Sequence, residues 1–251
     1  MARRAGGRPA AVGIPHTTRR VVPVVPTTDN PHLASPLRRE GPLPDQGRLP
    51  ADTALAAVLV HGRGQDPEYM GDIARRIGMA DVRCVYPAAA GNSWYPGRFM
   101  DPPEVNEPLL GHALDAVDHA LAALEEEGFA PRRTALIGFS QGACLLAEHL
   151  VRHPRAYAAV ALLTGGYIGP DGPARHGTGT LPGTPVLLSS SETDEWVPPR
   201  RVRETADLLQ AMGAAVTLHI HDAPEHGVGD EEIRAVRALL DAARRPGTRE
   251  G

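Results

Sequence analysis

One serine stands between two glycines in Gly138-Phe139-Ser140-Gln141-Gly142, a spacing suited to nucleophilic chemistry. An apolar strand-like run, TALIGF, leads directly into it, and an apolar helix-like run, ACLLAEHL, leads directly out. A strand-to-helix turn that sharp requires small residues at both flanks, because side chains there would strike neighbouring backbone. It would raise the Ser140 hydroxyl above a sheet, at a helix N-terminus whose free N–H groups and dipole favour developing negative charge. The alternative is a serine that only caps the helix.

A neutral hydroxyl attacks poorly, so a base must take its proton and a carboxylate must orient that base. Of eleven histidines, His226 is favoured. It sits beside Gly227 in HDAPEHGVGD, a loop that follows the last strand-like run, whereas His219 and His221 alternate with Leu218 and Ile220 as strand residues do. The acid is sought in LLSSSETDEWVPP, where Glu192, Asp194 and Glu195 end another apolar run. Asp194 is favoured as a short carboxylate that a strand-end turn holds rigidly, and Asp171 is the reserve. Oxyanion donors are expected from the backbone N–H of Gln141 and, in the glycine-rich HGRG that follows ALAAVLV, from that of Arg63. A rival chemistry, a metal hydrolase, could be assembled from His219, His221, Asp222 and His226, but it leaves the serine pentapeptide unexplained. No metal or cofactor is assigned.

These groups need a scaffold. Apolar runs recur at 54–62, 82–87, 134–139, 158–166, 185–191 and 215–220, each of the kind found in strands buried on both faces. Helical patterns lie between them: Asp66 to Ile77, a long helix from the Asp101 cap to Gly128 with Leu110, Leu114, Val117, Leu121 and Leu124 on one stripe, Gln141 to His153, Pro198 to Met212, and Asp230 to about Arg244. Alternation of the two implies right-handed crossovers, a mostly parallel central sheet with helices on both faces, and functional groups beyond the carboxyl ends of the strands. The loop 87–103 carries Trp94, Tyr95, Phe99 and Met100 in a chain with only 4% aromatics, and it is expected to line a substrate pocket.

Composition bounds the rest. With 251 residues, 42% of them hydrophobic, one core is expected: a flexible Pro/Arg-rich segment over 1–50 with an edge arm from about 31, one domain over 51–245, and a flexible tail over 246–251. A net charge of -4 gives no reason to seek nucleic acid, and no run is long enough to span a membrane. Two cysteines in apolar segments argue against a disulfide framework. The chain is read as soluble and cytoplasmic, with a small-molecule substrate and a homodimer left open.

The blocks VLVHGRGQD, LIGFSQGACLL, SETDEWVP and EHGV, in that order, resemble the phospholipase/carboxylesterase family of α/β-hydrolases, which includes the acyl-protein thioesterases. The resemblance covers about residues 54–243 and implies an α/β-hydrolase fold. It also implies a Ser140–Asp194–His226 triad, in the chain order of that fold, with the Arg63 and Gln141 amides as oxyanion hole. The function expected is cofactor-free cleavage of carboxylic esters or thioesters through an acyl-enzyme. The alternatives are a lactone or dienelactone hydrolase on the same triad and a non-catalytic binding domain. Arg63 stands where the thioesterases carry an apolar residue, which argues against a long lipidated peptide and for a substrate bearing an acidic group.

Overall fold

The computed structural model describes residues 29–43, 55–172, 175–222 and 226–244. Most of the 1–50 segment and the 246–251 tail, both expected to be flexible, lie outside the described residues. Each of the six apolar runs forms a strand: β2 (Ala56–Val60), β3 (Arg83–Tyr86), β4 (Thr134–Phe139), β5 (Ala159–Leu163), β6 (Pro185–Ser191) and β7 (Ala215–His221). A seventh, β1 (Arg38–Glu40), pairs antiparallel with β3, and the other pairings are parallel in the order β1-β3-β2-β4-β5-β6-β7.

The sheet is covered on both faces because its strands present apolar residues to both. Ala56, Val58 and Val60 of β2 pack into one cluster with α3 (Leu109–Glu126), α4 (Gln141–Arg152) and α5 (Pro199–Ala211). Their neighbours Leu55, Ala57 and Leu59 pack into a second cluster with α1 (Pro67–Ile77) and α6 (Asp230–Arg244). Alternation at period two thus feeds two cores from one strand. Helix α1 has a clear start and stop. The Asp66 carboxylate accepts from Tyr69 N–H at its N-terminus, and Gly78 adopts φ +88° at its C-terminus, where a Cβ would strain the backbone.

The long helix expected from Asp101 to Gly128 is two helices. A single turn, α2 (Pro103–Asn106), ends before Glu107, which is extended (φ -76°, ψ 149°) because Pro108 disfavours a helical residue in front of it. The Asp101 carboxylate does not cap; it accepts from Arg98 N–H at 2.7 Å. The apolar stripe is nonetheless buried, with Leu110, Leu114, Val117, Leu121 and Leu124 all in the core.

Candidate active site

The turn between β4 and α4 is as tight as the glycines require. A Cβ on Gly142 would lie 2.2 Å from the Val60 carbonyl oxygen of the adjacent strand, and one on Gly138 would lie 2.7 Å from the Gly142 carbonyl oxygen. Both approaches are closer than any side chain tolerates. Ser140 itself takes φ +51° and ψ -118°, a conformation rare outside glycine, held by its N–H donating to the Leu163 carbonyl at 2.9 Å. Its hydroxyl makes no capping bond to α4. Instead, Oγ lies 2.8 Å from Nε2 of His226.

His226 follows β7 and Asp194 follows β6, so the groups come from the carboxyl ends of β4, β6 and β7. The His226 Nδ1–H donates to Asp194 Oδ2 at 2.9 Å, which leaves Nε2 as the acceptor facing the serine. The other Asp194 oxygen accepts from the N–H groups of Trp196 and Val197, both at 2.8 Å. Burial opposes the charge of Asp194, but the bonds from His226 and Val197 outweigh it and hold the carboxyl below its ordinary value. Of the rival acids, Asp171 pairs with Arg200 and Arg201 and Glu192 with Arg203, while Glu195 lines the cavity but the carboxylate bonded to His226 is that of Asp194. Nor do His219, His221 and Asp222 gather round His226 as a metal site would require: His221 lies 2.6 Å from the Glu232 carboxylate.

Among the described residues, the backbone N–H groups of Gln141 and Arg63 have no hydrogen-bond acceptor. The first is at the N-terminus of α4 and the second follows β2, and both residues line a cavity of about 780 Å³ together with Ser140 and His226. Of the four pocket residues expected from the loop, Tyr95 and Phe99 line this cavity. Trp94 and Met100 do not. Trp94 is a core residue, its indole N–H donating to the His61 carbonyl at 2.8 Å, so the loop buries that ring beneath the site rather than in it.

Sequence reasoning did not find the residues that hold this loop. The Gln141 side chain accepts from Trp94 N–H at 3.0 Å and donates to the Tyr95 carbonyl at 2.9 Å. The Arg63 guanidinium donates to the carbonyls of Tyr95 at 3.0 Å and Pro96 at 2.9 Å and also bonds the Gly97 carbonyl; its charge is turned to the loop backbone. Asn106, fully buried, accepts from Gly97 N–H and donates to the Arg98 carbonyl. Two imidazoles complete the anchorage. His61 accepts from Ala89 N–H at 3.1 Å and His32 accepts from Ala90 N–H at 3.0 Å. Their other ring nitrogens donate to the carbonyls of Gly62 and Trp94, so both rings are neutral. Trp196 was also missed: 70% exposed, it lines the cavity 6.4 Å from the His226 ring. Its only signal was an aromatic residue two positions after Asp194.

A mostly parallel sheet with helices on both faces, and a serine raised on its β4–α4 turn, define an α/β-hydrolase. The sequence profile of the phospholipase/carboxylesterase family matches residues 50–243, and the chain belongs to that family of hydrolases. A phospholipase/carboxylesterase from Dyadobacter fermentans is 32% identical, with 81% of this chain and 95% of that one superposed at a TM-score of 0.74. A carboxylesterase from Mesorhizobium loti is 25% identical over 75% of this chain and 89% of its own, at 0.60. The esterase PE8 is also 25% identical, over 82% and 99%, at 0.65. The comparison with curated proteins gave no match. Among the described residues no helix is long and apolar enough to cross a membrane.

Proposed function

We propose that the protein hydrolyses small carboxylic esters or thioesters through an acyl-enzyme formed on Ser140. The observation that carries this reading is the unbroken relay Ser140 Oγ–His226–Asp194, with contacts of 2.8 and 2.9 Å, opening on the cavity. Ser140 Oγ attacks the carbonyl carbon while its proton passes to His226 Nε2. The oxygen that becomes negative is received by the N–H groups of Gln141 and Arg63. Collapse of the tetrahedral species breaks the bond to the alkoxide or thiolate, which leaves with the proton from His226. Water then repeats the sequence on the acyl-enzyme and releases the acid. Asp194, kept ionised by its hydrogen bonds, steadies the imidazolium formed in each half. The scheme uses no cofactor, and Phe99, Trp196 and Val197 offer apolar wall for a small substrate.

The test is Ser140→Ala. With the fold retained by circular dichroism, hydrolysis of p-nitrophenyl esters and acyl thioesters should fall by at least about 10⁴-fold, and covalent labelling by a fluorophosphonate should vanish. A variant that still turned over at the parental rate would sink the assignment.

A further inference from the structure

Away from the cleft, α3 and α4 bring three candidate ligands together. Asp118 comes from α3; His149 and His153, four residues apart, lie on one side of the last turn of α4 and its cap. One oxygen or nitrogen from each lies within 4.8 Å of the others. Asp118 Oδ2 is 2.9 Å from His153 Nδ1, and Asp118 Oδ1 is 3.8 Å from His149 Nδ1. The second of these is not a hydrogen bond. His149 Nδ1 is buried with no hydrogen-bond partner, in a side chain that is wholly inaccessible. An orphaned ring nitrogen of this kind, directed at a carboxylate and a second imidazole, requires an explanation.

We propose that Asp118, His149 and His153 form a binding site for a divalent transition-metal ion of the zinc type. The chemistry of the donors fits: two imidazole nitrogens and one carboxylate oxygen suit a borderline ion, and helical His pairs at this spacing are a known zinc arrangement. So does the outer shell. His149 Nε2 lies 3.0 Å from the hydroxyl of Tyr157, and the tautomer that donates there leaves the Nδ1 lone pair free. Four-coordinate zinc with bonds of about 2.0–2.1 Å sets its ligand atoms about 3.3 Å apart, and the three candidate atoms, now within 4.8 Å of one another, would draw in to that spacing round the ion. The negative end of the α4 dipole faces the site and Asp115 lies one turn before Asp118, while Arg152 and Arg155 add positive charge nearby. His153 and Asp118 are partly exposed, so an entry path exists and water can complete the coordination.

Such an ion would sit about 14–20 Å along α4 from Ser140, too far to join the chemistry. It would staple α3 to α4, the helix whose first turn follows the serine. The experiment uses the full chain stripped with a chelator and titrated with zinc chloride by calorimetry, beside His153→Ala and Asp118→Asn. Both variants alter the surface end of the cluster and should keep the parental esterase rate without zinc. The wild type should take up one ion saturably, gain several degrees in Tm at roughly 100-fold excess over Kd, and give the strong visible absorption of four-coordinate Co²⁺ when cobalt replaces zinc. Each variant should weaken binding by at least about tenfold and lose that absorption. Absence of saturable binding to the wild type, or binding unchanged in both variants, would overturn the site.

Discussion

Asp194 is asked to do two things at once, and the arrangement of its oxygens makes the cost of altering it predictable. Oδ1 receives two backbone N–H groups, so an amide at this position must keep its oxygen there and turn its NH₂ toward His226. The imidazole would then accept at Nδ1 and carry its proton on Nε2, facing the serine in the wrong tautomer. Asp194→Asn is therefore expected to fold normally and to lose about 10³- to 10⁴-fold in kcat on p-nitrophenyl esters. A near-parental kcat would remove Asp194 from the relay. At Gly142 the fault would be steric: Gly142→Ala places a methyl 2.2 Å from the Val60 carbonyl and should cost about 1–3 kcal/mol or more, seen as a lowered Tm together with lost activity. The residues of the relay were legible in the sequence because each follows an apolar strand and is punctuated by a turn. Gln141, Asn106 and Trp196 were not, since their partners lie far along the chain or are backbone groups and cavity that no side-chain pattern announces.

The loop between β3 and α2 has a single 3-10 turn, at Ala90–Asn92, and it stays in place because side chains from four other segments bond its backbone. Arg63 grips this loop with its guanidinium, and in the proposed mechanism its backbone N–H has a second task as an oxyanion donor. The two contributions separate experimentally. Arg63→Ala keeps the N–H and loses the grip, so KM should rise several-fold while kcat changes little; an equal fall in kcat and kcat/KM would instead assign the side chain to the transition state. Strands and most helices were readable because continuous apolar runs and stripes of period 3.6 coincide with burial, β7 at the more exposed sheet edge excepted. The exceptions have local causes. Pro108 parts the expected Asp101 start from an apolar stripe that begins only at Leu110, and β1 is too short, at three residues, to display any period. Trp94 and Met100 were expected beside the substrate because composition identifies an aromatic and apolar loop without saying which side chains face the cavity.

For the molecule as a whole, the N-terminal arm and the sheet are tied to that loop by His32 and His61, two rings that accept a backbone N–H and so must stay unprotonated. Burial holds both below the ordinary value of 6.5. The unfolded chain takes up these protons near 6.5 and the folded chain does not, so their contribution to stability is intact above that pH and is lost as the pH falls below it. Tm should drop between pH 8 and pH 5, and His61→Gln, which can still accept from Ala89, should flatten the slope; identical slopes would exclude His61 from the effect. The placement of the chain's two tryptophans has one more outcome: one ring is sealed under the cleft and the other stands in water at its rim. Fluorescence of the unlabelled protein thus carries its own gauge of occupancy, since a bound ester or acid would shield the rim indole from acrylamide and shift its emission to the blue while the sealed one stayed silent.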